Sequence, residues 1–484
     1  MASKPEAATA TKPAVNQQRA LIVKAVGFVL GLIVCAYIWT RPLPSVLKPG
    51  AMQALGIMVG MVVWWVFQVF DEYAIALIFP TYLIAAKIVT PAVAVGALTQ
   101  STWWTLITAL AIGVVVVKSG LLKRIAYGML LLFPPTYRGQ SLAFVFSGMI
   151  TAPFIPTALG KMAILNPIAL EVSRGLGYKD NSSGSAGLGM SVWIGFSLTY
   201  FLFLTGSTTP LALQGILPKG IKETVNFTSW IVAAWPLAVT VLLLSTVALF
   251  ILYRPEKNVS GTPRTVIRER LSEMGKMSRN EWLALGTLLF LIIGWSTENY
   301  HHITSAWIGT MALSFMSFTK VMTKEDFKKI DWPFLFFLAV VISFGDVFKA
   351  LGISTYLGTL TIGYLTPLAA SPLLFAVVLA LVTYVLRLFI ASWIAYITIM
   401  MTLLTPFVTS IGWNPFAVGL IMLAALNTWV PSYQSSVYLV GYYSTGGKAF
   451  TQPQSYKLGL AYLVIVLIAL IPTVPYWHWL GMIP

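Results

Sequence analysis

Apolar runs long enough to cross a bilayer recur from one end of this chain to the other, and no other feature limits its fold so severely. A hydrocarbon core about 30 Å thick needs roughly 20 apolar residues of helix. Full spans are expected near 20–40, 52–70, 73–89, 102–118, 186–205, 228–253, 282–297, 303–319, 332–348, 414–431 and 456–476. The chain therefore reads as an all-α polytopic membrane protein with about eleven transmembrane helices. That count puts the N-terminus inside and the C-terminus outside.

Charge is scarce and unevenly placed. Only 10% of the 484 residues are charged and 58% are hydrophobic, whereas a soluble domain carries about 25% charged residues. The formal net charge of +16 invites a nucleic-acid partner. Its distribution argues against one, because the basic residues sit in short loops between apolar segments, as cytoplasmic loops require. The stretch Arg254 to Glu281 holds seven Lys/Arg and four acids, and Lys320 to Lys329 adds four lysines. Residues 1–19, polar and rich in Ala and Pro, read as a disordered cytoplasmic tail with no cleavable signal. Cys35 is the sole cysteine, so no disulfide forms within the chain. The expected location is a bacterial inner membrane.

Two apolar regions do not read as simple spans. Residues 139–171 and 372–410 are each too long for one helix, and Pro, Gly or polar residues interrupt both. Each reads as a re-entrant hairpin, the second placed at 384–410. Such backbone is tolerated at membrane depth only where protein buries it or water lines it. The order of elements also repeats. Thr102-Trp103-Trp104 opens a span ending in Lys118-Ser119-Gly120-Leu121-Leu122, and Asp331-Trp332 opens one ending in Lys349-Ala350-Leu351-Gly352-Ile353. A broken hairpin follows each, then a span interrupted by a polar loop with Pro, at 205–210 and 431–436. The halves are thus expected at 20–253 and 282–484, inverted with respect to one another and joined by a cytoplasmic linker at 254–281. Inverted repeats with matched broken helices point to a secondary transporter with its site at the midplane.

Few polar groups remain to bind a substrate there. Lys161 follows Ile155-Pro156-Thr157 in the first hairpin, with no acid close in sequence; Glu171 lies nearer the hairpin's end. A lysine near the bilayer centre costs about 3 kcal/mol unless it pairs or faces a cavity. It is therefore available to an anion, its other reading being an interfacial lysine that snorkels. Arg387, in the second hairpin, offers a planar fork matched to carboxylate, or else a surface anchor. Thr157 and Ser392 stand beside breaks, and Thr208, Thr209, Ser435 and Ser436 stand on the two interrupting loops. Each can bond a ligand or back-bond its own helix. Exposed amides at half-helix N-termini add to an anion's welcome. Among the spans only Asp346 is a notable acid, unlike the proton or cation relays of pumps. The expected substrate is a small organic anion. An enzyme is not expected: the three histidines, His301, His302 and His478, form no metal-ligand or triad spacing. An anion channel is a further reading, since it would also use a positive pathway.

Trp104 through Lys118 to Arg124, Asp331-Trp332 through Leu351-Gly352, and Ser436 through Gly447 resemble the divalent-anion/sodium symporter family, over residues 50–475. The resemblance implies transport of dicarboxylates, citrate, tartrate or sulfate by a dimer. It also implies a scaffold against which the hairpins and broken helices shift. In that family a Ser-Asn-Thr motif at each hairpin tip binds substrate carboxylate and helps form a sodium site. Here the tips read Ile155-Pro156-Thr157 and Ala391-Ser392-Trp393, so substrate contact carries over to Thr157 and Ser392 while the sodium sites are put in doubt. Some exchangers of the family, including the plastid dicarboxylate translocators, carry a basic residue just after the first motif. The resemblance therefore implies that Lys161 stands in for sodium and that the carrier exchanges anions; sodium-coupled symport of dicarboxylate or sulfate is the alternative. No other cofactor is expected.

Overall fold

The computed structural model describes residues 14–155, 158–256, 263–357, 359 and 370–484, and every regular element among them is helical. The first half runs α1 (Ala14–Trp39), α2 (Ala51–Val66), α3 (Glu72–Ala85), α4 (Ser101–Ser119), α5 (Leu121–Leu132), α6 (Tyr137–Thr151), α7 (Ala158–Gly175), α8 (Ser183–Trp193), α9 (Thr208–Ile216) and α10 (Phe227–Leu252). A polar helix, α11 (Pro263–Glu273), leads into the second half. There follow α12 (Arg279–Ser296), α13 (Ser305–Phe318), α14 (Trp332–Leu351), α15 (Pro372–Arg387), α16 (Trp393–Ser410), α17 (Pro415–Leu426), α18 (Ser436–Ser444) and α19 (Gln452–Trp479). Among the described residues, seven helices are long and apolar enough to cross a membrane. The spans expected near 52–70, 73–89, 303–319 and 414–431 are apolar helices of 16, 14, 14 and 12 residues, shorter than the roughly 20 residues of a full crossing.

The sequence-matched helices α4 and α14 end alike. Each has a lysine in its last turn, Lys118 or Lys349, and a glycine in the left-handed region after it, Gly120 at φ 85° and Gly352 at φ 76°. The lysine complements the negative end of the helix dipole. Glycine takes the left-handed cap without the clash a Cβ would cause.

Both expected hairpins are pairs of helices around a break. In the first, the chain leaves α6 through a 3-10 turn at Ala152–Phe154 and resumes helix at Ala158. In the second, the break falls at 388–392 between α15 and α16, so the first arm begins at Pro372 rather than near 384. The two interrupted spans are also present. After α8 the chain forms a π-turn (Ile194–Leu198) and a 3-10 turn (Tyr200–Leu202) before α9. After α17 it is non-helical from Asn427 until a 3-10 turn at Ser432–Gln434 precedes α18.

Packing between these elements is reciprocal. Arm α6 packs on α8 and its π-turn, and arm α15 packs on α17. Arm α7 packs on α18, in the opposite half, while α16 packs on α9, in the first half. Helix α13 lies on α4, and α3 lies on α14. The α6 crossing is close: a Cβ on Gly148 would stand 2.1 Å from the carbonyl carbon of Gly195 in the π-turn.

One end of the bundle gathers ion pairs that bind the basic loops together. Lys118 pairs with Asp326, and Arg124 pairs with Glu281 at 2.5 Å while donating to the carbonyls of Met274 and Gly275. Burial alone would raise the Asp326 carboxyl. Hydrogen bonds from Lys118, Thr323 and Lys329 outweigh it and hold that carboxyl well below its ordinary range.

Candidate functional site

Lys161 stands on the first turn of α7, and its side chain is fully buried. Its ammonium therefore reaches no interface. It donates at 3.2 Å to the carbonyl oxygen of Gly206, in the loop that interrupts the α8–α9 span. Thr205 ties the same two breaks, donating at 2.6 Å to the carbonyl of Pro153. Thr157 lies outside the described residues.

The second hairpin is held in a parallel way. Arg387 ends α15 and is fully buried. Its guanidinium donates to the carbonyls of Ile390 and Ala391 at its own break, and to those of Leu426 and Gln434 flanking the interruption of the α17–α18 span. Tyr433 adds a bond to the Leu388 carbonyl at 2.7 Å. Each hairpin break is thus bridged to an interrupted helix by a basic side chain bonded to backbone oxygen. Among the described residues neither Lys161 nor Arg387 has a carboxylate within salt-bridge distance.

The two bridged breaks meet. The Tyr200 and Trp393 rings stand 5.5 Å apart, Tyr200 donates to the Leu423 carbonyl at 2.7 Å, and Asn427 donates to the Ser197 carbonyl at 2.7 Å. Helices α7, α9, α16 and α18 all begin at these breaks, so four helix N-termini stand at the two bridged breaks. Such ends carry partial positive charge and donate to anions. With two fixed cations and few acids, the region can neutralise a dianion.

The hydroxyls divide by role. Ser392 caps α16 by accepting from Ala395 N at 3.3 Å, and its hydroxyl meets the Glu72 carboxylate at the start of α3. Ser435 caps α18 by accepting from Tyr438 N at 3.1 Å. Thr209 is buried at the start of α9 and Thr208 is partly buried, whereas Ser436 is exposed. Sequence reasoning passed over Thr205, Tyr200, Glu72 and Asn427. Asn427 carried a signal, a polar residue directly after an apolar run. Its Oδ1, the Ser197 hydroxyl and both amide atoms of Asn166 are buried without a hydrogen-bond partner among the described residues. Buried polar atoms of this kind are normally satisfied by protein or water.

A separate cleft of about 920 Å³ lies between the N-terminal end of α4, the C-terminal end of α14, the segment after α9 and the C-terminal half of α16. None of the sequence-predicted site residues among the described ones lines it.

Comparison with known proteins agrees with this architecture. Residues 23–483 match the family described as the sodium:sulfate symporter transmembrane region. The chain is 25% identical over 393 residues to dicarboxylate transporter 1, chloroplastic, of Arabidopsis thaliana, covering 80% of this chain and 70% of that protein. It is 26% identical over 397 residues to the L-tartrate/succinate antiporter of Escherichia coli strain K12, covering 79% of this chain and 80% of that one. In fold it is similar to the Alcanivorax borkumensis YdaH transporter, with a TM-score of 0.56 at 14% identity over 96% of this chain and 99% of that one. Neisseria gonorrhoeae MtrF gives a TM-score of 0.52 at 12% identity, over 95% and 94% of the two chains. Family and structural neighbours alike are transporters, and the chain is a multi-pass membrane protein.

Proposed function

We propose that this chain, which belongs to the sodium:sulfate symporter transmembrane family, is an exchanger of small organic dianions of the C4/C5 dicarboxylate class, such as succinate, malate, 2-oxoglutarate or tartrate. The observation that carries the reading is the pair of buried basic bridges, Lys161 to Gly206 and Arg387 to Leu426 and Gln434. In the family these tips help hold sodium; here a covalently fixed cation bonds the backbone oxygens beside each tip. A fixed cation neutralises a bound dianion but does not leave with it. The empty carrier then retains uncompensated charge at membrane depth, which is costly. A counter-anion on the return step removes that cost, and the result is obligate exchange. The names of the dicarboxylate and tartrate/succinate relatives support the same substrate class.

Substrate carboxylates would bind the four helix N-termini, with hydroxyls of Thr157, Ser392, Thr208, Thr209, Ser435 and Ser436 around them and Lys161 as the principal charge. Arg387 has its guanidinium spent on carbonyls, so it would act by holding the second break and by its field. Elements α6–α9 and α15–α18 would move as a transport unit against the remaining helices. A homodimer follows from the family resemblance. Positive-inside placement of the loops around Lys118–Arg124 and Lys320–Lys329, joined by the Lys118–Asp326 pair, supports a cytoplasmic N-terminus in a bacterial inner membrane.

The test is uptake of labelled succinate or L-tartrate into liposomes carrying the purified protein, empty or loaded with unlabelled dicarboxylate, with and without an inward sodium gradient. Exchange requires uptake into loaded vesicles only, indifferent to sodium. Sodium-driven uptake into empty vesicles would show symport instead.

A further inference from the structure

The 920 Å³ cleft is not used by the site just described, and its walls have the chemistry of an anion site. Its volume is within the range of small-molecule sites, about 300–1,000 Å³. Lys222 projects from the short helix Lys219–Lys222 that follows α9. Its ammonium donates to Gln100 Oε1 at 2.6 Å and to the Gly215 carbonyl at 2.8 Å. An ammonium has three protons, so one donor remains.

The neighbouring acids do not neutralise it. Gln100 stands between Lys222 and Asp346: its Oε1 accepts from the lysine while its Nε2 donates to Asp346 Oδ2 at 3.2 Å. Among the described residues Lys222 has no carboxylate within salt-bridge distance. Glu223, Lys219 and Lys349 also line the cleft and are exposed. Burial pushes the Lys222 amine down to about 8, against the opposing pull of Asp346 and Glu223. An arriving anion would favour its charged form. Across the cleft, α16 presents Thr402 and Thr405, and α4 presents Ser101 and Thr102.

We propose that this cleft is a second binding site for small dicarboxylates, anchored by Lys222, which loads the carrier from the face opposite its basic loops. The inference rests on the dicarboxylate reading above. One carboxylate pairs with Lys222 and draws on Lys219 and Lys349, while the hydroxyls of the cleft meet the other end or a hydroxyl of the ligand. The lining comes both from α4 and α14 and from α9 and α16. The site is therefore assembled between the units that the transport cycle displaces. It lies on one face only, so its effect on transport is one-sided.

The experiment compares uptake of labelled L-tartrate and succinate by right-side-out and inside-out membrane vesicles, both loaded with unlabelled succinate, for the wild type, Lys222→Gln and Lys222→Arg. Loss of one charged hydrogen bond corresponds to about a tenfold effect. Lys222→Gln should raise KM about tenfold in right-side-out vesicles, hold it within about twofold in inside-out vesicles, and leave Lys222→Arg near the wild type. An unchanged KM in both vesicle types, with the wild type active, overturns the cleft site and leaves the dicarboxylate reading standing. An equal rise on both faces also overturns it, because Lys222 would then act through the fold. Wild-type vesicles that take up neither dianion would overturn the function reading itself.

Discussion

The Lys161 ammonium lies 3.2 Å from the carbonyl oxygen of Gly206, joining the break of the first hairpin to the break of the α8–α9 span. Among the described residues its one hydrogen bond is to a neutral oxygen, which leaves a buried ammonium with spare donors and no paired carboxylate. On the proposed function, a dianion would supply what is missing. Lys161→Ala should therefore weaken dicarboxylate binding by about tenfold or more. Calorimetric titration of the purified variant with succinate checks this, and near-normal affinity would remove Lys161 from the site.

Arg387 is a clamp as much as a charge. Replacing it by leucine strips the side-chain donor from the carbonyls of Ile390, Ala391 and Gln434, while Leu426 keeps only its bond from Thr428 N, and each buried unsatisfied group costs about 1–3 kcal/mol. Arg387→Leu should lower the Tm in detergent markedly, and Arg387→Lys, with fewer donors and no planar fork, should recover only part. An unchanged Tm in Arg387→Leu would mean the breaks hold without it.

The contact of Gly148 with Gly195 sets how closely α6 approaches the π-turn. Gly148→Ala puts a methyl 2.1 Å from backbone, which a flexible side chain cannot relieve. The expected destabilisation is about 1–3 kcal/mol, with exchange rate falling as the α8–α9 break is displaced. A variant that exchanges and melts like the wild type would show that α6 can shift away freely.

Uptake through the cleft should depend on pH with a definite sign. The Lys222 amine titrates near 8 because burial lowers it, so its charge is complete well below that value and lost above it. The other titratable groups facing it are Lys219, Glu223, Asp346 and Lys349. KM in right-side-out vesicles should therefore rise between pH 7 and 9. Lys222→Arg keeps its charge throughout and should flatten the profile. A wild-type profile that is equally flat would assign the lysine a structural role.

Apolar run length and the spacing of breaks are local properties, and from them the helical membrane class and the positions of the helix breaks were legible in the chain. The matched endings Lys118-Ser119-Gly120 and Lys349-Ala350-Leu351-Gly352 marked the same helix cap twice, since a left-handed cap asks for glycine wherever it occurs. Lys161 and Arg387 stood out because charge at membrane depth is rare. Their partners were not legible. Gly206 and Gln434 contribute only carbonyl oxygens, which every residue has, and they lie 45 and 47 positions away. Which oxygens face which cation depends on how α7 packs on α8 and α15 on α17, contacts made within each half. The Lys222–Gln100–Asp346 chain likewise spans three distant segments that read separately as ordinary loop and helix-end residues. Local composition decided which segments are apolar helices; only tertiary packing decided which oxygens the buried charges meet, because those contacts join residues far apart in the chain.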